Sequence, residues 1–187
     1  ELYSRWTWLA AILAASAAAR ASSGGAALSA RGVDLLTFAA IAVGALGCLW
    51  GGWAADRMGR EGLVTRAMMA SGICAVAIGF FLGAPSWLVG AVALAWGFFV
   101  IADSAQFSAL VTESVPAHAV GTALTLQTSL GFLLTMVTIQ LVPPAVSMVG
   151  WRWAFALLAL GPAAGIASIA RLRAVKGVAR PAPRVRN

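Results

Sequence analysis

A chain of 187 residues that is 61% hydrophobic and only 10% charged cannot cover its surface in water, because soluble domains carry about 25% charged residues. The net charge of +7 would suit nucleic acid on a count alone. The basic residues, however, cluster between long apolar blocks, where they orient a chain in a bilayer.

In chain order the apolar blocks are Trp6–Ala19, Leu35–Ala55, Leu63–Gly83, Trp87–Leu110, Ala119–Val142 and Trp153–Ala170. The last five approach or meet the roughly 20 residues that a helix needs to cross a bilayer core. Backbone groups in lipid must be paired, so the spans are helices or a closed barrel. Barrel strands alternate polar and apolar residues, and these blocks are continuously apolar. The expectation is an all-α membrane protein, a six-helix transmembrane bundle over residues 1–173, followed by a basic flexible tail over 174–187. The first block is short and the chain opens on Glu1, so the first helix is expected to be truncated.

Within the first segment, Glu1 and Arg5 are four residues apart and can pair along a helix; within the membrane they would be cavity or coupling candidates, and the alternative is a frayed terminus. The second segment runs into Gly52-Trp53-Ala54-Ala55-Asp56-Arg57-Met58-Gly59-Arg60. Gly52 would permit close helix approach, and Gly59 a tight turn between antiparallel helices. Asp56 suits a helix N-terminus, where the macrodipole favours an anion. Read without further context, this is a solvated charged turn or a loop that pairs with neighbouring helix ends. Gly47 and Gly51, like Gly161 and Gly165, have the four-residue spacing of close helix packing. Cys48 and Cys74 lie inside apolar blocks and read as packing residues, with no disulfide framework or metal site implied.

The fourth segment carries the main functional candidate. An ionisable residue inside a span is costly and points to function. Asp103, Gln106 and Phe107 share one helical face, which Trp96 and Phe99 extend. The competing reading is that Asp103 pairs with a buried partner or reaches the membrane interface. In the fifth segment, Gln127 could contact a solute or bridge helices, and Gln140 is a softer candidate. Gly83–Ser86 and Pro143–Arg152 are expected to be short loops joining the third and fourth, and the fifth and sixth, segments. Placing the loop after segment two in the cytoplasm puts Arg57, Arg60, Arg66, Arg171, Arg173, Lys176, Arg180, Arg184 and Arg186 on one side and Arg20, Arg31 and Arg152 on the other. That asymmetry makes the C-terminus cytoplasmic.

The Gly52–Arg60 stretch resembles the signature G-x-x-x-D-R-x-G-R of the major facilitator superfamily, found between the second and third helices of each six-helix half. It departs at Glu61 and Gly62, where Arg or Lys commonly follows. Thr112-Glu113-Ser114-Val115-Pro116 with Gly121-Thr122-Ala123, and Gly150-Trp151-Arg152-Trp153-Ala154-Phe155, resemble further stretches of the same superfamily. The resemblance implies half of a twelve-helix fold, with Gly52, Asp56, Arg57, Gly59 and Arg60 as a cytoplasmic gating latch. The absence of a membrane Arg in segment four and the basic tail favour the C-terminal half. Glu1-Leu2-Tyr3 with Trp6 and Trp8 is similar to a bacterial branch grouped with nitrate and cyanate permeases, which implies a bacterial inner membrane.

The function so implied is secondary active transport of a small solute by alternating access, together with an N-terminal half. Arg5 leans toward an anionic solute, and Asp103 toward a coupling proton. The alternative is a polytopic scaffold or accessory subunit that transports nothing. No enzyme is expected: His118 is the sole histidine, which excludes H-E-x-x-H, and no G-x-S-x-G, P-loop or G-x-G-x-x-G occurs. No cofactor, metal or nucleic-acid partner is expected.

Overall fold

Apolar blocks of this length bury their backbone bonds within helices, and every regular element among the described residues is helical. A computed structural model describes residues 2–178, the last four of them, 175–178, by their backbone alone. The helices are α1 (Leu2–Ser22), α2 (Ala30–Met58), α3 (Arg60–Phe80), α4 (Ser86–Ala102), α5 (Ser104–Ser114), α6 (Val120–Val149), α7 (Trp151–Ala154) and α8 (Leu160–Val178). α4 and α5 together make one span, interrupted at Asp103. α7, a 3-10 stretch over Phe155–Ala159 and α8 make the last. Six spans of helix therefore form one bundle. Five of them, all but α1, are long and apolar enough to cross a membrane. The chain is a multi-span α-helical membrane protein.

The tightest pairing is between α2 and α4. Gly44, Gly47 and Gly51 of α2 lie directly against α4, where an added Cβ would strike Ile101, the Phe98 carbonyl and the Ala102 carbonyl. Gly97 of α4 answers with its face on the Ala40 carbonyl. Without side chains between them the backbones approach closely, and dispersion rather than water expulsion holds helices together in lipid. Around this seam pack Leu9, Ile12 and Leu13 of α1, Ile78 of α3, Trp96 of α4 and Phe155. α3 also packs on α8, where Val64 and Met68 meet Ile169. Outward-facing Leu46, Leu49, Ile73, Trp87, Leu133 and Leu160 are exposed, as lipid contact requires.

The structure departs from the sequence expectations in five places. α1 runs from Leu2 to Ser22, longer than its apolar block; Ser4 and Arg5, ahead of that block, are buried against neighbours. Pro143 and Pro144 do not start a loop: α6 passes through them to Val149, and the connection to α7 is Gly150, with φ 74°. Prolines hold a helical φ, and a partner from α1 serves one carbonyl they leave unbonded. Gly52 makes no close helix contact, having nothing within 4 Å of its Cβ position; its neighbour Gly51 faces α4 instead. Gly161 is likewise open, while Gly165 abuts Met68. Finally, α8 extends to Val178, so residues 174–178 of the expected tail are helical; the remainder, 179–187, lies outside the described residues.

Candidate functional site

Antiparallel helices with short turns bring the α2–α3 turn, the end of α5 and the end of α8 to one end of the bundle. Gly59, with φ 81°, makes that turn. It is the conformation only glycine adopts without strain, and it sets Arg60 at the first position of α3. The Arg60 guanidinium reaches α5 twice: Nε donates to Oε1 of Glu113 at 2.7 Å, and Nη1 to Oε1 of Gln106 at 2.9 Å. Glu61, next in sequence, faces the other way and pairs with Nε of Arg173 on α8 at 3.3 Å. Gly59, Arg60, Glu61, Glu113 and Arg173, with Met58, Gly62 and Leu110, surround a cleft of about 290 Å³.

The two carboxylate pairs are largely solvated, the Arg60 and Glu113 side chains being 36% and 51% exposed. Such pairs contribute little by themselves. The bond to Gln106 differs, because Gln106 is 5% exposed and the donor is a charged guanidinium, which strengthens a hydrogen bond. Arg60 thus joins a wet carboxylate to a dry amide.

Asp103 lies one helical turn from Gln106 and is 8% exposed. It is the residue at which α4 stops and α5 starts; its own carbonyl accepts the Gln106 and Phe107 amides at 3.0 and 3.2 Å. The break falls where Gly51 of α2 presses on the Ala102 carbonyl. Asp103 and Gln106 therefore sit together on the inner face, as their spacing predicts, with Phe107 half-buried beside them.

Arg5 is elsewhere along the same span. It is 0% exposed, and its Nη2 donates to the carbonyls of Ala40 on α2 and Ala93 on α4, at 3.0 and 3.2 Å. Its guanidinium carbon stands 5.4 Å from the Trp96 ring centroid. The bare face of Gly97 makes room for it. Arg5 meets α4 at Ala93 and Trp96, respectively ten and seven residues before Asp103, or about 10–15 Å at the helical rise. Glu1, its expected partner, lies outside the described residues.

The remaining candidates are scattered. Asp56 is exposed and makes no hydrogen bond or ion pair among the described residues. Arg57 lies over the Trp53 ring, 4.0 Å from its centroid. Gln127 of α6 has a buried Oε1 with no partner among the described residues, and Gln140 is exposed. Among the described residues no three His, Cys, Asp or Glu side chains gather as metal ligands. The sequence reading assigned no role to Glu61, Glu113 or Arg173. A carboxylate near each of two expected cytoplasmic loops was the available signal, but nothing local says which cation it meets. A larger groove of about 450 Å³, lined by Met68, Ile73, Val76, Pro162 and Ile166 among others, lies between α3 and α8 and holds none of these polar groups.

No family model, curated protein or solved structure matches the chain.

Proposed function

We propose that this chain is the C-terminal half of a major-facilitator-type secondary transporter, which moves a small solute across a bacterial inner membrane by alternating access. The observation that carries the reading is Asp103. It is a buried carboxylate at a break in a membrane-spanning helix, one turn from a buried amide that Arg60 of the terminal turn holds. Intramembrane carboxylates mark ion and solute pathways, and transporters build their sites where spanning helices are discontinuous. Asp103 and Gln106 are the cavity or coupling residues of this reading, with Gln127 of α6 as a further candidate. Arg5 supplies the positive charge that favours an anionic solute, Asp103 carries a coupling proton, and the chain acts with an N-terminal six-helix half. The Gly52–Arg60 stretch is the cytoplasmic latch.

The test is uptake by the complete transporter in proteoliposomes. Asp103→Asn is expected to abolish uptake or change its pH profile while membrane abundance stays at the wild-type level. An unchanged pH profile removes Asp103 from the pathway. A wild-type protein that moves no ion or solute across the membrane, with Asp103→Asn altering abundance only, supports a scaffold in place of a transporter.

A further inference from the structure

α6 is continuous from Val120 to Val149 although it contains Pro143 and Pro144. A proline has no N–H for the carbonyl four residues earlier. Pro143 therefore deprives Ile139 of its helical donor, and Pro144 deprives Gln140. In lipid such a carbonyl must find another donor. For Ile139 it is found on α1: the indole Nε1 of Trp8 donates to the Ile139 carbonyl at 3.2 Å. A side chain from a neighbouring helix thus supplies the hydrogen that Pro143 took away.

The two sides of the proline pair are held differently. Val142, just before it, is the buried residue of α6, and Val146, just after it, packs on the central core. From Val120 to Leu141 no residue is buried. That stretch touches α1 through three contacts of similar kind. They are the Trp8 bond, a 2.7 Å hydrogen bond between the hydroxyls of Ser4 and Thr138, and the Tyr3 and Phe132 rings, 5.4 Å between centroids. Nothing there interlocks as the glycine seam of α2 and α4 does. Sharp helix kinks, where they occur, fall mostly at prolines.

We propose that residues 120–141 are an arm that pivots at Pro143–Pro144, and that Trp8 is the strut holding it against α1. Swinging the arm breaks two side-chain hydrogen bonds and one ring contact with α1, loosens its contacts with α5, and uncovers no buried residue of the arm. The inference is independent of the transport reading, since it concerns a helix, its prolines and one indole.

Trp8→Phe removes the donor and keeps most of the ring; Pro143→Ala returns an N–H to Ile139. Both variants and their combination are compared in the full chain in lipid nanodiscs, by melting temperature and by amide hydrogen exchange over residues 120–141. Trp8→Phe is expected to lower the melting temperature by several degrees and to speed exchange in the arm about tenfold, because local opening follows the bonds that oppose it. In the Pro143→Ala background the same change is expected to do neither, since the backbone now serves the carbonyl. Equal effects in both backgrounds mean that Trp8 acts by packing alone and overturn the proposal, as does wild-type exchange in Trp8→Phe. If Trp8→Phe fails to accumulate, accumulation of the double variant supports the strut, and failure of both overturns it.

Discussion

Arg60 holds two partners of unequal value, and the difference is measurable. Its bond to Gln106 is partly buried; its bond to Glu113 is open to solvent. Gln106→Leu removes a buried acceptor from a partly exposed charged donor and is expected to cost about 1–2 kcal/mol. Glu113→Gln is expected to cost under about 1 kcal/mol. Thermal unfolding of the purified protein in detergent compares them, and a larger loss for Glu113→Gln would show that the terminal pair, not the amide, anchors the turn. Asp103 and Gln106 were legible in the sequence because polar groups stand out in an apolar run and helical spacing puts them on one face. Arg60 and Gln106 are 46 positions apart, a separation no periodicity encodes. Arg5 reads from the sequence as a helical pair with Glu1 or part of a frayed terminus; its carbonyl partners on α2 and α4 are backbone atoms and have no sequence signature.

At the scale of helices, glycine spacing was a guide that needed the neighbours to be read correctly. Gly47 and Gly51 make contact; Gly52 and Gly161, equally prominent in sequence, do not. Gly47→Val is expected to force α2 off the Phe98 carbonyl and destabilise the bundle by about 3 kcal/mol or more. Gly52→Ala meets nothing and is expected to be neutral or to stabilise by roughly 0.5–1 kcal/mol through helix propensity. Melting temperatures of the two variants check this pair, and a Gly47→Val protein as stable as wild type would contradict the close seam. The proline pair misled for a related reason. Pro-Pro reads as a terminator because proline removes backbone donors, and whether the loss is tolerated depends on a distant side chain, here Trp8 on α1.

For the whole molecule, the Arg60–Glu113 and Glu61–Arg173 pairs put the α2–α3 turn, the α5 end and the α8 end on one side. The positive-inside rule leads us to propose that this side is cytoplasmic. Reporter fusions after Arg60 and after Asn187 are expected to report cytoplasm, and one after Ser86 the opposite side; a periplasmic signal at Arg60 reverses the orientation. Asp56, exposed at this end without a partner in the bundle's described residues, is proposed to act on a helix end of the partner half. Asp56→Asn is then expected to lower transport with membrane insertion intact. Transport equal to wild type at matched abundance makes the stretch a solvated turn.

By itself the sequence determined that the chain crosses a membrane as helices, roughly where the spans lie, and which of their residues are too polar for lipid. Each of these follows from local composition and from the requirement that backbone groups in lipid be paired. The tertiary structure alone decided which glycines touch, which cation meets which carboxylate, where the fourth span breaks, and how α6 survives two prolines. Those outcomes depend on atoms brought together from distant parts of the chain. Whether a carbonyl, a charge or a bare glycine face is satisfied is settled by the helix that packs against it.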